Sequence, residues 1–514
     1  MFRNQSIRGR LLLSCLLLLG ICVSAPAQNS SATNISLARI EMSIERGKLD
    51  EAEKPLLDYA IAHPKDTKAL ALLGRLRYQQ GRLEEAQSLY QRVLALDPSL
   101  VNAKIILAQI MYGLGQRDPA RLLLTEIASA SALTPSERFA LVRAMVRVGE
   151  FQKALVVADQ LPPAVKNGPA LPLMAAIYQG LGESKKLLTL MPLIRRAAIS
   201  NPEVAIQCAD VLQEANLSHE AVGVLRSALA QAPDNSRILI LLGQLETRAR
   251  DFTAARLHLN RAIKGKTDLA DALYSLGMLE SAEGNHAAAL SNLKQARSLA
   301  PHSPTILALF VVSAMRARQP QLAVDAANEL VQLKPDDPEV LYLLGAALLQ
   351  NGSLVSAQNA LERYRRLRAD DPRGCLALGI SMAGQPSQQR EARAQFEQCL
   401  KLDPKNVESK YQLGLLFKSE GEVKQAIQMF EEVISQSSQH ADALRDLGAL
   451  YLQTGDEAKA RAMLERAVAL NPEDAETHFL LSRAYSLTGQ KTLARQHLDL
   501  FEKLKGQREK LSTP

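Results

Sequence analysis

The sequence predicts an all-α fold, an α-solenoid built from about fourteen helical hairpins. Two observations carry this prediction: a pattern of apolar and turn residues with a period of about 34 residues, and an alanine that keeps this spacing from Ala52 to Ala494. Periods of about 20 to 50 residues are typical of solenoids, in which each unit packs mainly on its neighbours. The length of 514 residues therefore indicates a stack of repeats instead of several globular domains.

Residues 270–301 form the clearest copy of the repeat. Leu273 and Gly277 lie four residues apart on a first predicted helix, and a second apolar stripe with helical spacing follows. Gly284 separates the two, because glycine tolerates the left-handed conformation that commonly ends a helix. Pro301 then ends the second helix. The unit is a helical hairpin.

Two markers keep the register along the chain. The first opens each second helix, and the second lies about twelve residues earlier and is usually small. Small residues on both helices predict a close approach where the helices cross. The first marker is Ala52, Ala86, Ala120, Ala154, Ala221, Ala255, Ala289, Ala323, Ala357, Ala392, Ala426, Ala460 and Ala494, with Leu187 in the one gap. The second is Gly74, Ala108, Ala175, Ala209, Gly243, Gly277, Gly345, Gly379, Gly414, Gly448 and Ser482, against Ile40, Val142 and Val311.

The order of a leucine pair, a small residue, a turn glycine, an alanine, an aromatic residue or leucine, a second alanine and a closing proline resembles the tetratricopeptide repeat (TPR) family. The resemblance covers residues 33–508 in about fourteen units. It implies a right-handed superhelix of TPR hairpins. It also implies that the first helices of successive repeats line a concave groove that holds an extended peptide or a partner helix.

Residues 1–27 have the layout of a secretory signal peptide. Three arginines precede an apolar run from Leu11 to Val23, and small residues around Pro26 precede the predicted cleavage after Ala27. The run is shorter than the roughly 20 apolar residues that span a bilayer. We therefore expect export, to a bacterial periplasm. The alternative is an uncleaved segment that anchors the protein in the inner membrane. Residues 28–32 are predicted to be a polar linker.

The fifth repeat, residues 168–201, departs most from the pattern. It carries Pro169 and Pro172 in its predicted first helix and Pro192 inside its second. An interior proline removes a hydrogen bond and clashes with the preceding turn, at a cost of about 3 kcal/mol. The sequence therefore predicts a kink or hinge within 161–202.

The C-terminal repeats differ in smaller ways. The eleventh holds one extra residue within 384–390, which is expected to lengthen its turn. After Phe501 a polar run is expected to prolong the last helix and to give the stack a soluble end. Residues 509–514 are predicted to be a C-terminal tail.

Composition and motifs argue against nucleic-acid binding and catalysis. The formal charge of +7 falls to +4 once the three leader arginines are removed, which is too mild for a nucleic-acid partner. The histidines are scattered, and the sequence contains no HExxH pair, no CxxC pair and no phosphate-binding loop. We expect no enzyme activity, no cofactor and no metal. The histidines are His63, His219, His258, His286, His302, His440, His478 and His497.

Three cysteines remain after the predicted cleavage, Cys208, Cys375 and Cys399. An exported protein with so few thiols does not depend on a disulfide framework. Cys375 and Cys399 fall on facing helices of one repeat. The sequence favours two separate buried thiols over a disulfide between them.

Applied to this sequence, the resemblance gives the groove of repeats two to four a polar lining. Arg75, Gln109 and Arg143 follow one another at intervals of one repeat and are expected to stack as a ladder that holds an acidic segment or a terminal carboxylate. The alternative is an ordinary solvated face, and the lysine and asparagine pattern of carboxylate-clamping family members is absent. The lining comprises Lys68, Arg75, Tyr78, Asn102, Gln109, Tyr112, Phe139, Arg143 and Arg147.

Repeats eight to thirteen receive an apolar lining instead. An exposed apolar patch of this extent is typical of an interaction surface. The alternative is that neighbouring helices cover part of it. The lining comprises Tyr274, Met278, Val312, Met315, Tyr342, Leu349, Ile380, Tyr411, Leu415 and Leu452.

The function that these features favour is that of an exported, non-enzymatic scaffold for protein–protein interaction. A protein or peptide would be the partner, with peripheral association to envelope complexes. The alternative is an accessory subunit of an envelope machine that exports or assembles polysaccharide. An enzyme subunit is disfavoured because the repeats leave no residues for a catalytic domain.

Overall fold

A computed structural model describes residues 31–129 and 133–512, and the side chains of 37–129 and 133–507. These residues form thirty α-helices and one short 3-10 helix, with no strand among them. The all-α solenoid prediction is confirmed. The predicted signal peptide and most of the predicted linker lie outside the described residues. The first helix begins at Ser31, two residues before the predicted start of the repeats.

The chain divides into two compact units, residues 1–246 and 247–514. The boundary falls in repeat seven, outside the segment 161–202. The first unit contains α1 Ser31–Glu45, α2 Leu49–Ala62, α3 Thr67–Gln79, α4 Leu83–Leu96, α5 Val101–Gly113, α6 Arg117–Ala128, α7 Pro135–Arg147, α8 Phe151–Ala158, α9 Pro163–Lys166, α10 Leu171–Gly180, α11 Ser184–Thr189, α12 Met191–Ser200, α13 Pro202–Glu214, α14 Ser218–Leu229 and most of α15 Ser236–Arg248.

The second unit continues the same alternation of first and second helices. It contains α16 Phe252–Gly265, α17 Leu269–Glu283, α18 His286–Leu299, α19 Pro304–Arg316, α20 Pro320–Leu333, α21 Pro338–Gln350, α22 Leu354–Leu367, α23 Pro372–Ala383, the 3-10 helix Pro386–Gln388, α24 Gln389–Leu402, α25 Val407–Ser419, α26 Val423–Gln436, α27 Ala441–Thr454, α28 Glu457–Leu470, α29 Ala475–Leu487 and α30 Lys491–Ser512.

One residue with positive φ makes the turn inside most hairpins. It is glycine in most repeats, for example Gly284 with φ +89°. Asn216, Arg250 and Arg318 occupy the same position in three repeats, with φ between 56° and 62°. Because a side chain is disfavoured in this left-handed region, these three turns depend on the packing of their flanking helices.

The start of the first helix is set by a polar cap, often followed by proline. Asp371 caps α23 by accepting a hydrogen bond from the Arg373 backbone N–H, and Asn406 caps α25 in the same way through Ser409. Proline fits the first helical position because a backbone N–H at that position has no acceptor within the helix, so its absence costs no hydrogen bond. The closing segment of one repeat therefore also sets where the next begins.

The core of each hairpin forms between the small residue of the first helix and a large residue sixteen positions later. A Cβ added at Gly414 would lie 2.6 Å from the ring of Phe430, and one added at Gly277 would lie 2.7 Å from Leu293. The alanine markers from Ala52 to Ala460 are all buried, at most 1% exposed. The two helices therefore approach closely where an aromatic ring or a leucine of the second helix packs directly against the small residue of the first.

In the fifth repeat the second helix is interrupted at Leu190, between α11 and α12. The interruption lies just before Pro192, which has no N–H to continue the ladder. The first helix, in contrast, begins at Leu171 with Pro172 in its first turn, where proline is tolerated. Placing Pro169 inside this helix was wrong, because it lies in the turn before Leu171; Pro172 lies inside the helix as expected, but in its first turn. A hinge motion here stays a prediction.

The two C-terminal irregularities take simple forms. The extra residue of repeat eleven is absorbed by the 3-10 helix Pro386–Gln388 between α23 and α24. The last helix, α30, continues to Ser512, so it crosses the predicted boundary between the repeats and the tail.

Cys375 on α23 and Cys399 on α24 are joined by a disulfide, with their Cα atoms 5.6 Å apart. The expectation of two separate thiols was wrong. The two helices of this hairpin approach closely enough for two facing cysteines to meet the distance that a disulfide requires. Cys208 is a free, buried cysteine.

Among the described helices, none is both long enough and apolar enough to span a bilayer.

Candidate interaction surfaces

In both units the first helices of neighbouring repeats contact one another. Examples are α5 with α7 in the first unit, and α19 with α21 and α27 with α29 in the second. Their side chains can therefore form clusters that cross from one repeat to the next, as binding surfaces built from repeats require.

The first unit brings three of the predicted groove residues together in one polar group, the Arg147 cluster, formed by Tyr78, Gln109 and Arg147. Nη1 of Arg147 donates to Oε1 of Gln109 at 2.7 Å and lies 3.3 Å from the Tyr78 hydroxyl. The three residues come from α3, α5 and α7, the first helices of three successive repeats, and all are half-buried. The cluster is a partly exposed cationic group in a fixed orientation.

The sequence predicts a ladder with a strict spacing of one repeat, and Gln109 also has a partner outside that spacing. Gln109 bonds Arg147, which lies one helical turn beyond Arg143. The guanidinium of Arg143 lies 5.9 Å from the ring centroid of Phe139, on its own helix. Tyr112 is half-buried and packs against the core that contains Leu141 and Met145. The period therefore identified the helix face but not the contacts on it.

Lys68 and Arg75, at the start of the predicted lining, face acidic residues of α1. Nζ of Lys68 lies 3.5 Å from Glu41, and Nη2 of Arg75 lies 3.8 Å from Glu45. These long, partly exposed ion pairs contribute little to stability. The two cations can therefore exchange their partner for another carboxylate at small cost.

The predicted apolar lining of the second unit is half-buried. Tyr274, Met315 and Tyr342 pack against the core around Phe310, and Tyr411 packs against the core around Phe430. Met278 is half-buried as well. Both alternatives therefore apply in part, because neighbouring helices cover one side of each residue and the other side is accessible.

Sequence reasoning missed a charged group next to this lining, the Asp446 cluster of Tyr411, Lys418, Arg445 and Asp446. The Asp446 carboxylate is 4% exposed and accepts hydrogen bonds from Tyr411 at 3.0 Å, Lys418 at 2.6 Å and Arg445 at 3.3 Å. Burial, and then the negative charge of Asp446, raise the pKa of the Tyr411 hydroxyl. A signal was present: an aspartate where a repeat normally buries an uncharged residue.

Tyr342 has a cationic neighbour. The guanidinium of Arg373 lies 5.0 Å from the Tyr342 ring centroid and donates to both oxygens of Glu339 at 2.8 and 3.1 Å. Asp371 also accepts from Arg373 at 2.8 Å. Hydrogen bonds to Glu339 and Asp371 raise the pKa of Arg373, which is therefore charged at all relevant pH. This side of the lining is polar.

None of these groups has the arrangement of a nucleophile with a base, and within the described residues no three His, Cys, Asp or Glu side chains converge to hold a metal ion. What the surfaces can do chemically is donate hydrogen bonds to an anionic or carbonyl group and cover apolar side chains.

Two protein-family models match the chain, and both are described as tetratricopeptide repeat. Together they cover more than half of the chain. The matched residues are 43–99, 77–135, 314–374 and 417–468 for one model and 209–270 and 445–508 for the other. No curated protein matches the sequence.

Solved structures with similar folds include the crystal structure of the APC/C hetero-tetramer Cut9-Hcn1, at 14% identity and a TM-score of 0.41, covering 88% of this chain and 99% of that chain. A MamA RS-1 ArsTM double mutant has 24% identity and a TM-score of 0.31, covering 34% and 97%. A crystal structure of MamA protein has 19% identity and a TM-score of 0.29, covering 34% and 96%.

Proposed function

Because the chain belongs to the tetratricopeptide repeat family, whose members generally bind protein partners, we propose that it is an exported, non-enzymatic scaffold that binds an extended peptide or a partner helix on its first helices. The Arg147 cluster carries the proposal. Three successive repeats contribute to it, and its cation is held in place while remaining half-exposed.

The chemistry of the partner follows from the two surfaces. In the first unit, Arg147 and the weakly paired Lys68 and Arg75 favour carboxylates, by charge-assisted hydrogen bonds. In the second unit, half-exposed tyrosines and methionines offer apolar contact, and such residues are frequent at protein interfaces. We therefore expect a partner that contains an acidic segment and an apolar one.

Replacing both Arg75 and Arg147 with glutamate is expected to weaken binding of a fluorescein-labelled glutamate-rich decapeptide about tenfold, since two partly exposed cations become anions that repel the peptide. Fluorescence anisotropy at low ionic strength measures the change. The matched control replaces Arg92 and Arg196, exposed on the second helices α4 and α12, and alters the net charge equally. Equal weakening by both pairs would show that only net charge attracts the peptide.

A photocrosslinking amino acid at Tyr112, introduced in the native host, identifies the natural partner. The control position is Ile61, which is 70% exposed on the second helix α2. The proposal requires a protein captured from Tyr112 and not from Ile61. If the captured species are components of a polysaccharide export machine, the alternative function is favoured. Capture of nothing at Tyr112, with the folded protein present, contradicts binding at this surface.

Export rests on the layout of residues 1–27 and is supported by the disulfide, since disulfides persist in oxidising compartments. For protein isolated from the host envelope, we expect an intact mass that begins at Gln28 and labelling of one thiol, Cys208, after denaturation without reductant. Mature protein with three labelled thiols would place it in a reducing compartment. A mass that includes residues 1–27 would identify the membrane-anchored form.

A further inference from the structure

The last two helices of the described chain meet through a pair of histidines. His478 lies on α29 and His497 on α30, with ring centroids 5.1 Å apart and planes inclined by 26°. Their Nδ1 atoms are 2.8 Å apart, which is a hydrogen-bond distance. His478 is 3% exposed, so this contact is shielded from water on the α29 side.

The proton positions follow from the partners of the two rings. Nε2 of His478 lies 2.9 Å from the Pro472 carbonyl oxygen, which can only accept, so Nε2 carries a proton and donates. In a neutral ring Nδ1 of His478 is then an acceptor. His497 therefore donates from its Nδ1–H to Nδ1 of His478. The arrangement holds one proton between the two rings.

Added protons disturb this arrangement. A first one binds the other ring nitrogen of His497, Nε2, which keeps the hydrogen bond between the two Nδ1 atoms but places a charge next to the core of Leu464, Leu481 and Ala484. A second one leaves two N–H groups facing each other across 2.8 Å, with no acceptor between them. The first step therefore places a charge at a partly buried contact, and the second removes the hydrogen bond between α29 and α30.

The neighbouring charged groups compensate only in part. Glu465 of α28 favours a charged His497, but its Oε1 already accepts a hydrogen bond from Tyr485 at 2.8 Å and lies 3.6 Å from Nε of Arg461. Burial, hydrogen bonding to Glu465 and the charge of Glu465 raise the pKa of the Tyr485 hydroxyl to about 12, so it keeps its proton throughout the acidic range. Burial, followed by the charge of His478, lowers the pKa of His497.

The sign of the pH effect follows from this direction. A histidine with a lowered pKa in the folded state favours the docked helix fully above about pH 6.5, the ordinary histidine pKa. This contribution is lost as the pH falls below that value toward the folded-state pKa. α30 packs on α29, so the histidine pair lies at the contact through which α30 is attached.

We propose that the His478–His497 pair is an acid-sensitive latch, whose protonation releases α30 from α29 and exposes the apolar face of α29 around Leu481, Ala484 and Tyr485. The residual contact includes the rings of Phe479 and Phe501, 5.2 Å apart, and the packing of Ala494 against the same core. The latch works without the proposed function and does not depend on it.

Hydrogen exchange of the unmodified full-length protein tests the latch. Between pH 7.5 and 5.0, after correction for the intrinsic rate, exchange in residues 491–507 is expected to accelerate severalfold, because local opening of α30 becomes more frequent. Exchange in α17 to α21 is expected to stay unchanged. Equal acceleration in both regions would indicate general acid destabilisation and would overturn the latch.

Two substitutions make the test specific. His497→Asn keeps an N–H that can donate to His478 but removes one titrating ring, and is expected to reduce the acid response of α30 strongly. His302→Asn, in an exposed turn, is expected to leave it intact. A full response in His497→Asn overturns the proposal. So does a response at pH 7.5 to EDTA or to added zinc, which would make the pair a metal site instead.

A fluorescence signal gives an independent measurement. The chain contains no tryptophan, so Phe501→Trp provides a single reporter beside Phe479. On acidification its emission is expected to shift to longer wavelength while the far-ultraviolet circular dichroism of the remaining repeats is preserved. An emission maximum that does not move between pH 7.5 and 5.0 contradicts release of α30.

Discussion

Replacing Phe430 with alanine is expected to lower the free energy of unfolding of the repeats around it by about 3 to 5 kcal/mol, the range for removing a fully buried aromatic side chain. Phe430 is 0% exposed, fills the space opposite Gly414 and lies 5.7 Å from the Tyr411 ring centroid. Without the ring, α26 loses the side chain that packs it against α25. The effect is expected to remain local, since stability in repeat stacks is a sum over neighbouring units.

Urea unfolding followed by circular dichroism, with hydrogen exchange in α25 and α26, measures this loss. The matched control is Phe430→Leu, because leucine occupies the same position opposite Gly277, Gly345 and Gly448. We expect the leucine variant to lose less than about 1.5 kcal/mol. A similar loss in both variants would mean that the ring shape, not the filled volume, stabilises the hairpin.

Replacing Asp446 with asparagine is expected to destabilise repeats twelve to fourteen by about 3 kcal/mol, since removing one partner of a buried charge pair costs about 3 to 5 kcal/mol by stranding the other charge. The lower end applies because the Lys418 side chain is 35% exposed and regains water, whereas that of Arg445 is 18% exposed. The Tyr411 hydroxyl also loses its charged acceptor, so its position on the interaction surface becomes less fixed.

The control for Asp446 is Asp442, which also pairs with Arg445, at 2.8 Å, but has a side chain that is 58% exposed. Asp442→Asn is expected to change stability by less than about 1 kcal/mol. Thermal unfolding of both variants at low and high salt separates the two cases, since salt screens only the exposed pair. Equal stability of the two variants would show that water reaches Asp446 and that the cluster is not a buried one.

The fold was predictable to the level of individual hairpins. The alanine markers gave the register of thirteen second helices, and the turn glycine gave most hairpin turns. Local irregularities were predicted less well. Proline in the first turn of α10 was read as a disruption, although only Pro192 coincides with an interrupted helix. The position of a proline relative to the helix start decides its effect, and the repeat period does not specify that start to within one turn.

The sequence predicted which residues lie on the first helices, but it did not predict which of their side chains contact one another across repeats. Some cross-repeat partners keep the repeat period, as Arg373 and Glu339 do at 34 residues, and others do not. Gln109 bonds Arg147, 38 residues away, and Tyr411 bonds Asp446, 35 residues away. The period alone does not specify which of these partners a long side chain reaches. Whether each predicted residue binds a partner stays a prediction.

The sequence by itself determined the hairpin, its number of copies and the face of each first helix, because these follow from the spacing of apolar, small and turn residues along a helix. Only the tertiary structure decided the Arg147 cluster, the buried Asp446, the Cys375–Cys399 disulfide and the His478–His497 contact. Each of these depends on the distance and rotation between two packed helices, and a linear pattern contains neither.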